Sequence, residues 1–452
     1  MKIVVVGCGK IGRTIIKNLV TEGHDVVAID YDPTVLDEVT NSYDVMGLVG
    51  NGADSDALKE AGVAEAELFL AVTNSDELNM LACFIARAMG AKHTIPRVRN
   101  PEYNDNSLEF MKQQLGFSAS VNPEMITARE IYNIIKFPSA VNIETFARRQ
   151  LEMVDFRLKD DSVLNGLTLA EMRKKFDAKI LVCAVQRGEE FYIPDGNFVL
   201  KSGDKVGITA SPAELNKLFR MLGVTQKRAH SVIIMGAGRI SLYLAKMLVA
   251  SGYEVKVIDH DRQRCEELND FVPEAVTILG DGTSQDLLLE EGVDTTDVFV
   301  GLTGMDEENI LTSCFAASQN VQKVITKVNR PELAAMAGKI GLECIVSPQH
   351  FVSEFLSKYA RALRNSIGSN VETLYKLMDG KAEALEFSVN DNFKYIEIPL
   401  KDMHIKKDIL IAGIIRGRKS IIPSGDDVIM AGDRVVVIAA GELLNDLSDI
   451  IR

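Results

Sequence analysis

Residues 1–12 read MKIVVVGCGKIG and residues 25–30 read DVVAID. A β-branched apolar run that breaks into Gly7, Gly9 and Gly12 predicts a strand, a tight turn and a helix start in succession. The bare backbone of such a turn, with a helix N-terminus behind it, presents amide donors to a diphosphate. The loop Gly7, Cys8, Gly9, Lys10, Ile11, Gly12 is a weak signal alone. Asp30 strengthens it, because it ends the second apolar run 18 residues after Gly12. There a carboxylate accepts ribose hydroxyls and repels a 2′-phosphate, which favours NAD(H), or another adenosine nucleotide, over NADP. That context outweighs the alternative of a structural turn followed by a solvated acid.

Working outward, the pattern returns. IVVVGCGKIG at 3–12 recurs as VIIMGAGRIS at 232–241, with Gly7 and Gly236 229 positions apart. GNGADSDALKEAGV at 50–63 recurs as GDGTSQDLLLEEGV at 280–293, and TNSDELN at 73–79 as TGMDEEN at 303–309, both displaced by 230, the mark of a one-residue insertion. The repeat continues past this region: IPDGNFVLKSGDKVGI at 193–208 matches IPSGDDVIMAGDRVVV at 422–437, and NIET at 142–145 and NVET at 370–373 mark one junction in each copy. Collinear matches of this extent mean duplication of a two-domain unit.

The second loop supplies Gly236, Ala237, Gly238, Arg239 and Ile240, with Asp259 as its acid. Ser241 replaces the third glycine, whose use is close helix packing, and so weakens the second site without removing it. The acid after strand two has no packing rationale in either copy, which argues against a scaffold that keeps its glycines for structure alone. Lys10 and Arg239 follow the second glycine and suit a phosphate or plain solvation equally. Thr73, Asn74 and Thr303 stand at the end of the fourth strand, where open α/β sheets bind ligands, or else cap the next helix. Arg97 and Lys327 end the fifth strand and suit a phosphate, a neighbouring subunit or simple exposure.

Val- and Ile-rich runs at 3–6, 26–29, 45–49, 68–72 and 94–98, and again at 232–235, 255–258, 276–279, 298–302 and 324–328, alternate with helical patterns. They predict two doubly wound α/β domains of the Rossmann type, each with a parallel sheet. The segment after each is a small, mainly antiparallel α/β module. In the first, strands are predicted at 180–186 and 199–209, and Ser211, Pro212 and Glu214 predict a capping-box helix start. The expected domains are therefore 1–125, 140–225, 229–350 and 368–452. No Gly/Ser linker separates them, so they are expected to pack together.

Length agrees, since 452 residues at roughly 150 per domain gives three or four domains. A net charge of -14 argues against nucleic acid, whose backbone selects clustered Lys and Arg. No apolar stretch is long enough to span a bilayer, and the opening run lacks a cleavage pattern, so a chain that is neither secreted nor membrane-spanning is expected. The six cysteines and six histidines show no metal spacing.

With the doubled loops, the paired acids and the repeated modules, the chain resembles the TrkA family, the peripheral subunits of Trk-type bacterial potassium uptake systems, over essentially its whole length. That resemblance implies two RCK units, each a Rossmann-type half and a ligand-binding C-terminal half. It implies that Gly7 to Ile11, Asp30, Thr73, Asn74, Arg97 and Val98 line a first site for NAD(H) or ATP/ADP, and Gly236 to Ile240, Asp259, Thr303 and Lys327 a second. It further implies a homo-oligomeric ring, a tetramer of tandem units, on the cytoplasmic face of an integral membrane potassium transporter. An NAD-dependent dehydrogenase is the alternative, but that reading requires an acid or base facing the nicotinamide and a substrate domain large enough to enclose the reacting carbon. The small modules offer neither.

Overall fold

The computed structural model describes every residue except 102, 104, 137–141, 147–149, 223–228, 366–370, 379, 380, 442, 443 and 445. The boundaries expected at 140, 225 and 368, and Asn370 of the second junction motif, lie outside the described residues.

The first apolar runs form β1 (Lys2–Val6), β2 (Asp25–Asp30), β3 (Met46–Val49), β4 (Leu68–Ala71) and β5 (His93–Pro96). Helices α1 (Lys10–Thr21), α2 (Pro33–Ser42), α3 (Ser55–Glu60) and α4 (Asp76–Ala88) alternate with them, and α5 (Asp105–Leu115) and α6 (Pro123–Lys136) follow. All strands are parallel, in the order β3-β2-β1-β4-β5. Helices on both faces explain why the central strands are apolar throughout rather than alternating, with Ile3, Val4, Val5, Phe69 and Leu70 all fully buried. The order reverses beside β1, which opens a crevice over the carboxyl ends of β1 and β4.

A five-stranded antiparallel sheet comes next: β6 (Asn142–Phe146), β7 (Leu151–Arg157), β8 (Ile180–Arg187), β9 (Glu190–Tyr192) and β10 (Lys205–Ala210), in the order β6-β7-β10-β8-β9, with α7 (Leu169–Lys175) and α8 (Pro212–Met221). The strand expected over 199–209 is shorter. A turn at Ser202-Gly203, with Gly203 at φ +83°, breaks it, and Val199 makes only a bridge to Thr168. Ser211 caps α8 by accepting from Glu214 N at 3.4 Å, but the Glu214 carboxylate accepts from Lys179 N at 2.8 Å, so the expected capping box is half closed.

The second copy repeats the plan with β11 (Ser231–Met235), α9 (Arg239–Ala250), β12 (Glu254–Asp259), α10 (Arg262–Phe271), β13 (Val276–Leu279), α11 (Gln285–Glu290), β14 (Val298–Gly301), α12 (Asp306–Ser318), β15 (Lys323–Lys327), α13 (Pro331–Lys339), β16 (Cys344–Val346) and α14 (Pro348–Asn365). Its order is β13-β12-β11-β14-β15-β16. The sixth strand was not expected; the matching segment of the first copy makes a single bridge, Arg97 with Val121. Strands β17 (Val371–Leu377), β18 (Ala382–Ser388), β19 (Ile409–Arg416), β20 (Lys419–Ile421) and β21 (Arg434–Ala439) form the last sheet, in the order β17-β18-β21-β19-β20.

The chain folds into two compact units, and each draws on both copies: residues 1–132 with 230–360, and residues 133–229 with 361–452. In the first unit the two Rossmann-type halves exchange helices. Tyr132 of α6 bonds Ser251 at 2.8 Å and Asn122, just before α6, bonds Tyr243 of α9 at 3.2 Å. Reciprocally, Ser353 and Gln349 of α14 bond Asn18 (2.6 Å) and Thr14 (3.4 Å) of α1. In the second unit the two antiparallel sheets share an apolar layer that includes Leu151, Met153, Ala384, Val436 and Ile438.

Candidate nucleotide sites

Each loop is built on a glycine in the left-handed region, Gly7 at φ +97° and Gly236 at +101°. A Cβ on Gly7 would lie 2.9 Å from Thr73 N, so the loop rests directly on the end of β4. Gly7 N donates to Ile29 O at 2.9 Å and Gly236 N to Ile258 O at 2.8 Å, which gives both turns the same anchor. By contrast, a Cβ on Gly9 or Gly238 would meet nothing within 4 Å. The middle of each loop is open.

The third position differs between copies. A Cβ on Gly12 would sit 1.9 Å from Gly7 O. Ser241 occupies the same place, fully buried, and donates its hydroxyl to Gly236 O at 2.5 Å. The second loop therefore keeps its turn, with a hydrogen bond where the first relies on the missing side chain.

Asp30 and Asp259 are 8% and 6% exposed. Asp30 accepts from Cys8 N at 2.6 Å and from Asp32 N at 3.0 Å; Asp259 accepts from Ala237 N at 2.7 Å and from Asp261 N at 2.8 Å. This corrects the expectation that the acid has no packing rationale: it staples the glycine loop to the end of strand two. Each carboxylate oxygen retains a second acceptor site for a ribose hydroxyl. Burial, with this carboxylate beside it, pushes the Cys8 thiol up to about 12, so Cys8 stays neutral beneath the loop.

The strongest sign of a ligand is at the helix ends. Asp32, Asp54 and Ser75 cap α2, α3 and α4 with side-chain hydrogen bonds. Neither α1, starting at Lys10, nor α9, starting at Arg239, has a side-chain cap, and neither has an acid in its first turn. Their N-terminal amides and dipole ends are left for an anion, and the exposed Lys10 and Arg239 side chains add charge there. Ile11 and Ile240 are half-buried behind the loops.

Thr73 and Thr303 do not cap the next helix. Thr73 N and Oγ1 donate to Asn79 Oδ1 (2.8 and 2.7 Å), while Asn79 Nδ2 donates to Thr73 O (3.1 Å) and Arg97 O (2.9 Å). Asn309 clasps Thr303 and Lys327 O in the same way (2.8, 2.9, 3.2 and 3.0 Å). These fully buried asparagines tie the fourth strand to the fifth. The reading of single residues passed over them, although their shared place in TNSDELN and TGMDEEN was a usable signal.

Arg97 is 4% exposed, which removes simple exposure as its explanation. Its Nη2 donates to Thr73 O (2.5 Å) and Asn74 Oδ1 (3.3 Å), and its buried Nε has no hydrogen-bond partner. Burial and the neighbouring Arg99 lower the guanidinium to about 10. Lys327 donates to Leu302 O at 3.4 Å, and burial lowers it too. Val98 is buried, its N bonded to Val121 O at 3.0 Å. Asn74 is exposed, and Gly304 holds its place in the second copy. Sequence reasoning also missed Arg13, which donates to Cys8 O at 3.0 Å and pairs with Glu38; the second copy has Leu242 there.

Residues 3–123 and 232–348 match the TrkA-N domain, and residues 153–223 and 384–452 the TrkA-C domain. The chain is 30% identical over 452 residues to the Trk system potassium uptake protein TrkA homolog of Archaeoglobus fulgidus, covering 100% of both. It is 28% identical over 444 residues to the Trk system potassium uptake protein TrkA of Vibrio alginolyticus, covering 97% of this chain and 95% of that one. The crystal structure of the GsuK RCK domain shares the fold, with TM-score 0.62 and 17% identity, over 97% of this chain and 92% of that chain. Both domain families matched twice in tandem, and a relative aligned from end to end, place this chain in the TrkA family of Trk-system potassium uptake proteins.

Proposed function

We propose that the chain is a cytoplasmic, nucleotide-sensing regulatory subunit that gates a Trk-type membrane potassium transporter by changing shape rather than by catalysing a reaction. The observation that carries this reading is the pair of uncapped, acid-free helix N-termini behind open glycine loops, one in each copy. Gly7 to Gly12 and Gly236 to Ile240 would hold a diphosphate, Asp30 and Asp259 the ribose, and Thr73, Asn74, Arg97 and Val98, or Thr303 and Lys327, the far end of NAD(H) or ATP/ADP. A structure of the GsuK channel bound to NAD (TM-score 0.62, 16% identity) and one of GsuK bound to ADP (TM-score 0.50, 15% identity) support ligands of this class.

Among the described residues no helix is long and apolar enough to cross a membrane, which supports reaching the membrane through a transporter partner. Exposed apolar side chains on the outer helices, Leu81 and Phe84 on α4, Leu311 on α12, Met336 on α13 and Ile340 just after it, support a homo-oligomeric ring, for which we propose four tandem chains. The domain limits 1–125, 140–225, 229–350 and 368–452 belong to the same proposal. A regulator works only if its ligand binds two conformations unequally. Potassium flux through the co-reconstituted transporter, with and without this chain under NADH, ATP and ADP, tests it: nucleotide-dependent flux is expected, and flux indifferent to the chain under every condition refutes the assignment.

A further inference from the structure

We propose that Asp76 is a positioning residue for the first nucleotide site: it holds the backbone that follows β5 so that Arg97 and Arg99 converge on the end of β4 as a paired clamp for nucleotide phosphates. The inference rests on the nucleotide-binding reading above and deepens it.

Asp76 and Asn79 stand three residues apart on α4, which places them on one face of the helix. Both are buried, and both bond the chain where it leaves β5. Asn79 Nδ2 donates to Arg97 O at 2.9 Å, and Asp76 Oδ2 accepts from Arg99 N and from Asn100 N, each at 2.8 Å. Two side chains of one helix thus fix three main-chain groups in this short stretch. An acid that served only the N-terminus of α4 would sit in water, as the exposed Glu77 does. Asp76 is buried instead, and the hydrogen bonds that offset its desolvation go to the loop.

The loop delivers two guanidiniums to one place. Arg97 Nη2 donates to Asn74 Oδ1 at 3.3 Å and Arg99 Nη2 to Asn74 O at 3.0 Å, just beyond β4. The Nε of each is buried without a hydrogen-bond partner, which leaves donors for an incoming anion. Asp76 Oδ1 lies 3.9 Å from Arg99 Nε, and Glu124 Oε1 lies 3.9 Å from Arg99 Nη1. The repeat supplies an internal control. Asp306 holds the matching loop through Asn329 N and Arg330 N, each at 3.0 Å, and Asn309 holds Lys327 O at 3.0 Å. Asn329 stands where the first copy has Arg99, and its Nδ2 donates to Asp306 Oδ1 at 2.9 Å, while Arg330 turns to Glu307. Both copies keep the backbone device, but only the first uses it to bring a second guanidinium to the end of the fourth strand. Arginines held in place before a phosphate arrives lose little rotamer freedom on binding, so holding them raises affinity for ligands with more phosphates.

Calorimetric titration of the full chain with AMP, ADP and ATP, in the presence of a chelator, tests this. The second loop is closed by Gly238→Asp, where nothing lies within 4 Å of the Cβ position, so that only the first site is read. Asp76→Ala is expected to weaken ATP on the order of tenfold and AMP less than about threefold, because the clamp lies beyond the loop that takes the first phosphate. In Asp76→Asn the one carbonyl oxygen can replace Oδ2 for both amides. That variant should melt close to wild type and weaken ATP about threefold through Arg99 alone, an effect that disappears in an Arg99→Met chain. If Asp76→Ala does not fold, the Asp76→Asn comparison decides by itself. Equal weakening of AMP and ATP in Asp76→Ala overturns the positioning role, and so does an Asp76→Asn effect that persists in Arg99→Met. An ATP-to-AMP preference that neither Asp76 variant changes overturns it as well. A Gly238→Asp chain with its first site intact that binds none of the three nucleotides, nor NADH, overturns the nucleotide reading itself.

Discussion

Replacing Asp30 with alanine separates the two roles the structure gives that acid. The Oδ2 bond to the buried Cys8 N–H is 2.6 Å long and the Oδ1 bond to the half-buried Asp32 N–H is 3.0 Å. Removing the carboxylate strands the first donor, while the second can turn to water. With about 1–3 kcal/mol for a buried donor that loses a charged partner, and less for the other, the unliganded first unit should lose about 2–3 kcal/mol. At roughly 2–4 °C per kcal/mol for a body of this size, its melting midpoint should fall by about 4–12 °C. NADH affinity at the first site should fall by a further ~1–3 kcal/mol, roughly 5- to 150-fold, through the lost ribose bonds. Asp30→Asn keeps one acceptor for Cys8 N–H and should recover about half the stability while still binding poorly. Scanning calorimetry without ligand and titration with NADH read the two effects separately. An unliganded midpoint equal to wild type refutes the staple; a lowered midpoint with unchanged affinity refutes the ribose contact.

Gly9→Asp should leave the fold intact, because nothing lies within 4 Å of its Cβ position, and should raise the midpoint slightly by capping α1; NADH binding at the first site should drop more than about tenfold as a carboxylate displaces the phosphate, which titration against far-ultraviolet dichroism resolves. Gly12→Ala should damage the first loop, since its Cβ would fall 1.9 Å from Gly7 O, whereas Ser241→Gly should change second-site affinity by less than about threefold; equal effects would contradict the account of the third position. Burial alone would raise Asp306, but hydrogen bonds from the amides of Asn329 and Arg330 and from their side chains hold it below the ordinary range. Its stabilisation is thus complete above the ordinary aspartate range and lost as pH falls through the depressed value. Urea unfolding from pH 7 to pH 3 should show a stability gap between wild type and Asp306→Asn that closes at the acid end.

The plan of this protein was legible along the chain because it is written in local patterns. Apolar runs broken by Gly7-x-Gly9 and Gly236-x-Gly238 fix strand, turn and helix through backbone sterics alone. Asp30 and Asp259 follow at a distance set by one helix and one strand, and a repeat that continues past the loops declares the duplication. What local patterns do not encode is which distant groups meet. The carboxylate that reads as a ribose ligand also holds the loop, because strand two ends beside strand one. Arg97, which along the chain suits a phosphate, a neighbouring subunit or simple exposure alike, is buried, with its Nη2 donating to Thr73 O at the end of the neighbouring strand. The strand expected at 199–209 yields to the Ser202-Gly203 turn, whose left-handed glycine reverses the chain more firmly than the apolar residues favour extension. Above all, the exchange of α6 and α14 between the copies depends on helices finding partners 119 residues or more away along the chain, and only the folded chain decides that.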